Sequence, residues 1–315
     1  MRMKLSFPLL ACILMGMSQA DVVFLKGEAA KAKLTQEDGF ITRLSPFDRA
    51  ARLCMNRQVD EEEYKIFLAA NVLDWTADEE KWIGEMFQAK AKFIRDSLKV
   101  KVPETVYLIK TTGKEEGDAP YTRMDAMVFP KSYLSKEKMG EVLSHELFHI
   151  LSRSNPKLRL SLYGLIGYKE GNEIQIPSGL ADLRITNPDG FENRYYIDIE
   201  SGAGKATYIP FLKSKAGIAE LKRDTPFFAY LEFSLYQVEN KEGKYRFRLE
   251  GGKPVPLGQK YYGNYLDIIG RNTQYIINPD EILADNFMFI VDGKKAFQTP
   301  DLRDKIVKAC RSLAN

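Results

Sequence analysis

LSHELFHIL, Leu143–Leu151, contains both histidines of a 315-residue chain, four positions apart, with a glutamate directly after the first. At about 3.6 residues per turn, His145 and His149 leave a helix from one face, one turn apart. Leu143, Leu147, Ile150 and Leu151 leave it in other directions, so most of this helix is predicted to be buried. A helix anchored that way holds two stacked imidazoles rigidly enough to grip one metal ion. Glu146 is rotated away from a ligand position. It hangs beside the remaining coordination site, where it can take a proton from water and return it to a leaving amine. The ordinary alternative is a buried helix that happens to carry two hydrogen-bonded histidines.

The H-E-x-x-H pattern of His145–His149 resembles the zincin metallopeptidase motif. Catalytic zinc takes three protein ligands and keeps a fourth position for water. No third histidine exists, and Ser152 and Asn155 stand where a metzincin would carry glycine and histidine. A carboxylate must therefore complete the set. INPDEILADNF, Ile277–Phe287, offers one: Asn278 can cap a helix, Pro279 suits its first position, and Glu281 and Asp285 share a face.

This E-x-x-x-D on a second helix resembles the gluzincins, the thermolysin-like superfamily. The resemblance implies Glu281 as third zinc ligand and Asp285 as the group that orients a ligand histidine and fixes its tautomer. It covers these two helices and little else. Glu281 lies much farther from His149 along the chain than in thermolysin, and the histidine that thermolysin-like enzymes place near the developing oxyanion is missing. A tyrosine or arginine would have to serve, with Tyr275 and Tyr265 as candidates. A helix cap at Glu281 and a solvated Asp285 form the plainer alternative, and Glu170, Glu173, Asp182, Asp189 and Glu192 compete as ligands.

Arg2 and Lys4, an apolar run to Met17 and the small residues Ser18-Gln19-Ala20 read as a cleaved export signal over residues 1–20. A lipid anchor at Cys12, in the box Leu9-Leu10-Ala11-Cys12, is less favoured because the apolar run continues beyond it. No other segment approaches a membrane span. Removing Arg2 and Lys4 from 46 basic residues leaves 44 against 43 acidic ones, a balance that argues against a nucleic-acid partner. Of three cysteines, Cys54 and Cys310 remain, either as one disulfide or as two buried thiols.

The expected fold is α+β and zincin-like, mostly helical, with a small mixed sheet beside the motif helix and a helical C-terminal part. Residues 21–100 read as a helical N-terminal region. Residues 101–315 read as the zincin-like catalytic region, with a strand-rich insertion over about 170–260. Predicted helices follow Ser45, Thr76 (with Glu79 as a capping box) and Ser135, and a further one covers Asp60–Leu73. ETVYLI, AMVF, EIQIP, YYIDI, FFAYLEFSLYQV and KYRFRL read as strands, and GKEEGDAPYT as a loop.

ITNPDG, Ile185–Gly190, resembles motifs in uncharacterised exported bacterial zincin-like proteins, and reads either as a tight turn or as a place where Arg184 holds a substrate carboxylate. The expectation is an exported bacterial protein, periplasmic or secreted, binding Zn2+ and hydrolysing a peptide or protein substrate. The alternative is a periplasmic binding or assembly protein with a vestigial or structural zincin site.

Overall fold

A computed structural model describes residues 20–202, 204–222 and 225–313. Cys12 and nearly all of the expected export signal lie outside the described residues. The architecture is α+β, with a mixed sheet, a second antiparallel sheet and a helical C-terminal part.

The mixed sheet comprises β1 (Asp21–Phe24), β2 (Val72–Leu73), β3 (Thr105–Thr111), β4 (Tyr121–Arg123) and β5 (Ala126–Pro130). β1 and β5 flank β3 in parallel, β2 pairs with its far end, and β4 runs antiparallel along the outer side of β5. Alternation along the strands divides two cores. Val106, Leu108, Met127 and Phe129 join the cluster around the motif helix. Ile109, Ala126 and Val128 join Phe40, Ile41, Tyr64 and Leu68 from the N-terminal helices on the opposite face. ETVYLI and AMVF are thus strands, as their β-branched composition predicts. The N-terminal region, read as helical, also supplies β1 and β2, which are too short to display a period. GKEEGDAPYT has loop composition, yet its end enters β4.

The motif helix spans Lys136–Ser154, capped by the Ser135 side chain, which accepts from the Lys138 amide at 3.3 Å. Leu143, Leu147, Phe148, Ile150 and Leu151 are all buried in the main core. At roughly 1.5–3 kcal/mol for each fully buried side chain, these residues fix the helix whatever its histidines do. Asn155-Pro156 ends it, and Asn155 caps the next helix, Pro156–Leu165.

The strand-rich middle folds as a five-stranded antiparallel sheet. Its strands are β6 (Tyr168–Glu170), β7 (Tyr195–Ser201), β8 (Gly204–Ser214), β9 (Leu231–Lys241) and β10 (Lys244–Phe247), in the order β10-β9-β8-β7-β6. EIQIP, expected as a strand, is an irregular segment instead. β8 escaped the sequence reading because Pro210 interrupts it. Pro210 lies beyond the reach of β7, where β8 has a free edge that tolerates proline. That edge receives the chain just before ITNPDG: the Ile185 amide donates to the Leu212 carbonyl at 3.1 Å, and the Ser214 amide to the Leu183 carbonyl at 2.8 Å.

The last part is helical, through Tyr262–Ile269, Pro279–Val291 and Pro300–Ser312. Pro279–Val291, the acid helix, lies along the motif helix, with the Phe148 and Phe287 rings 5.2 Å apart between them. No disulfide joins Cys54 to Cys310, and Cys310 sits in the main core. Among the described residues no helix is long and apolar enough to cross a membrane.

Candidate metal centre

The two helices present His145, His149 and Glu281 to one point, all three buried, with one ligand atom from each lying within 4.8 Å of the others. Glu281 Oε2 is 3.0 Å from His145 Nε2 and 3.5 Å from His149 Nε2. Zinc bonds of about 2.0–2.1 Å in a tetrahedron separate ligand atoms by roughly 3.3 Å, so this spacing suits one such ion. His149 Nε2 is fully buried and has no hydrogen-bond partner. A buried, unpaired imidazole nitrogen is costly without a ligand, and a metal is the ligand this donor set matches.

The remaining ring nitrogens are each fixed by a carboxylate. His145 Nδ1 lies 2.9 Å from Asp285 Oδ1, and Thr273 donates to the other oxygen of Asp285. His149 Nδ1 lies 2.7 Å from Asp280 Oδ2, while the Ser152 and Tyr163 hydroxyls donate to Asp280 Oδ1 at 2.6 and 2.7 Å. Such partners hold Nδ1 protonated and turn Nε2 toward the centre. Glu281 is held in turn. Its second oxygen accepts from Asn187 Nδ2 at 2.6 Å, and its amide donates to the Asn278 side chain at 3.0 Å.

Glu146 stands beside the triad on the motif helix. Thr122 of β4 donates to its Oε2 at 2.7 Å, and burial raises its pKa against the fields of both imidazoles. Tyr275 lays its ring near-parallel on His145, centroids 6.0 Å apart. Its hydroxyl makes no hydrogen bond among the described residues. Although 42 % of the residue is exposed, desolvation of its hydroxyl end and the charges of Glu281, Asp189 and Glu146 raise its pKa above that of an ordinary phenol, so the hydroxyl keeps its proton. Tyr265, by contrast, is fully buried and bonded to Tyr168 and the Ile276 carbonyl, a packing residue.

Three participants escaped the sequence reading, Asp280, Thr122 and Asn187, and a fourth, Asp189, figured there only as a competing ligand. The last two come from ITNPDG, which is no turn between strands but a loop inserted against the site. Asp189 Oδ1 accepts from the Thr122 amide at 2.7 Å and lies 4.0 Å from His149 Nε2. Glu146, His149 and Asp189 form a second buried group with metal-ligand spacing. Arg153 donates to the Thr122 carbonyl at 3.1 Å and to the Pro188 and Asp189 carbonyls at 2.9 Å. Both outward backbone groups of Thr122, on the open edge of β4, are therefore already occupied. No family model, curated protein or solved structure matches this chain.

Of the other competing carboxylates, Glu170 pairs with Arg194, Glu192 with Arg159, and Glu173 accepts from the Asn193 amide, all outside the centre. Asp182 is exposed.

Without metal, burial alone would lower the His145 pKa, but Asp285 and Glu281 raise it to about 10. Asp189, Glu281 and Asp280 likewise hold His149 well above its ordinary value against the effect of burial. Both imidazoles then carry a second proton at pH 7, and a metal ion binding there would have to displace it from each. The expected outcome is release of about two protons per zinc at pH 7, with affinity rising roughly 100-fold per pH unit. Calorimetry in buffers of different ionisation heat measures this, and release near zero would contradict it. For the metal-free fold the sign is opposite. His145, raised from about 6.5 to about 10, contributes stability fully present below the lower value and lost as pH climbs through the upper one.

Proposed function

We propose that the chain is an exported zinc-dependent hydrolase of gluzincin type, a metallopeptidase acting in the periplasm or outside the cell. One observation carries the reading: two imidazoles, each backed by its own carboxylate, converge with Glu281 on one point while Glu146 remains beside it, uninvolved in the triad. His145, His149 and Glu281 would hold the ion. Bound there, zinc supplies a Lewis acid that polarises a carbonyl and acidifies water. The chain's own residues do the rest. Glu146, oriented by Thr122, accepts the proton of the attacking water and passes it to the leaving amine. Tyr275, with its proton retained, its hydroxyl free of partners and its ring stacked on His145, would donate to the oxyanion. Asp280 and Asp285 keep the two imidazoles in their metal-binding tautomer.

Access is narrowed by ITNPDG. With the Thr122 amide and carbonyl occupied by Asp189 and Arg153, no substrate strand can add to β4 at that residue. This favours short peptides or one dedicated partner over bulk protein. The chain has no basic excess for nucleic acid, and we place it after signal cleavage following Ala20 rather than on a lipid at Cys12. Incubating the zinc-loaded chain with a defined mixture of peptides, with and without chelator, tests the activity; mass spectrometry should show chelator-sensitive cuts, and an intact mixture would count against turnover.

The second reading, a binding or assembly protein with a structural ion, is favoured by Asp189, whose carboxylate approaches the centre from the side opposite Asp280. A fourth protein ligand would close the site to water. Asp189→Asn separates the two. As a hydrolase, the variant keeps zinc affinity within roughly tenfold of wild type, no more than the low end for an orienting contact, because Asp189 then touches the centre only through Thr122. A closed site would instead lose on the order of a hundredfold or more, and the wild type would cut nothing.

A further inference from the structure

Across the ITNPDG loop from the metal centre lies a cavity of about 150 Å3. Its walls carry three arginines, Arg153, Arg159 and Arg184, beside apolar surface from Ile209, Phe211 and Tyr195. Arg153 is committed to backbone carbonyls, and Arg159 reaches Glu192 at 3.2 Å. Arg184 differs. Its one side-chain hydrogen bond runs from Nη2 to the Phe191 carbonyl at 3.1 Å, and among the described residues it joins no ion pair. Burial lowers its pKa, and the more distant Asp48 and Glu173 offset that only in part.

The acidic groups on the same walls cannot serve it. Asp280 is saturated by His149, Ser152 and Tyr163. Asp189 accepts from Thr122, and Glu192 from Arg159 and Tyr195. Four lining residues have a fully buried polar atom without a partner: Arg159 Nε, Asn193 Nδ2, Asn278 Nδ2 and the Thr186 hydroxyl. Three are pure donors and the fourth can donate. Those atoms are shut inside the walls, so what the cavity itself presents is Arg184, a guanidinium outside any ion pair, which is complementary to an anion.

We infer that this cavity binds a small molecule bearing an oxyanion, a carboxylate or phosphate, on an apolar body, with Arg184 as its anchor. The guanidinium fork fits either group bidentately, and the aromatic and aliphatic walls take the remainder. The inference is independent of hydrolysis, since the site lies behind the Asn187–Asp189 segment that steadies Glu281 and Glu146.

The test is calorimetric titration of the purified chain, zinc-loaded and zinc-free, with benzoate, its neutral counterpart benzamide, and inorganic phosphate. Saturable benzoate or phosphate binding in both metal states is expected, with benzamide at least roughly tenfold weaker; which anion binds tells carboxylate from phosphate. Arg184→Gln should abolish the binding, while Arg184→Lys should retain part of it. Because the variant removes a half-buried charge that joins no ion pair, Arg184→Gln should melt close to the wild-type temperature without ligand, and only wild type should be stabilised by the anion. The proposal would be overturned by no anion bound below about 10 mM, by equal affinity for benzoate and benzamide, or by binding that survives Arg184→Gln. Binding seen only with zinc would assign the anion to the metal and overturn it equally.

Discussion

Replacing Glu281 by alanine is expected to strip the chain of its metal. The wild type should purify with, or take up, about one zinc per chain, and the variant well under a tenth of that. The carboxylate is one of three donors, so its loss should weaken zinc by on the order of a thousandfold or more, against the 10–100-fold typical of orienting residues such as Asp280 and Asp285. A second consequence follows from burial. Glu281 is 1 % exposed, and its hydrogen bond to His145 and its charge beside His149 help to keep both imidazoles charged in the metal-free protein. Burial alone would raise the Glu281 pKa, but His149 and His145 depress it strongly. Removing it leaves buried cations short of a partner, which costs about 3–5 kcal/mol. Melting temperature should therefore fall even when chelator is present throughout. Metal analysis and calorimetry on the same two samples read both effects, and full zinc occupancy in the variant would move the third ligand elsewhere.

Glu146→Gln should do the reverse. The amide keeps the shape and can still accept from Thr122, so zinc occupancy and melting temperature should change little. What it loses is the capacity to carry a proton, a contribution of about 10^2–10^4 in rate for a positioned general base. A cleavage assay on the peptide identified from the wild type measures kcat directly. Loss of cleavage with zinc retained supports the proposed role, whereas equal cleavage by both proteins would rule it out. If neither protein cuts any peptide while both bind the same one, the binding-protein reading takes over.

The two helices that meet at the centre could be read from the sequence because their signals are local. Ser135, Asn155-Pro156 and Asn278-Pro279 mark their ends, and the four-residue spacing places the side chains on shared faces. The partners that complete the site were hidden because they arise from contacts between distant parts of the chain. Thr122 meets Glu146 and Asp189 only through the placement of β4, a strand of three residues at the end of a stretch with loop composition. Asp280 was overshadowed by its neighbour Glu281, although one of them must face each histidine. A signal did exist. Asn-Pro-Asp occurs as Asn187–Asp189 and again as Asn278–Asp280, and the two aspartates flank His149, one near Nε2 and the other on Nδ1. The repeated tripeptide pointed to a shared location that neither copy reveals alone.

β1 and β2 were missed for the opposite reason. Strands of four and two residues have too little length to show alternation, and they pair because β3 offers edges to them. Pro210 similarly disguised β8, the strand that seats the chain ahead of ITNPDG.

The most direct measurement is anomalous diffraction from a zinc-loaded crystal, recorded on both sides of the zinc absorption edge. One peak is predicted, about 2.0–2.1 Å from His145 Nε2, from His149 Nε2 and from a Glu281 carboxylate oxygen, with Glu146 close by but unbound. A peak elsewhere, or none in a crystal whose solution holds stoichiometric zinc, would contradict the account.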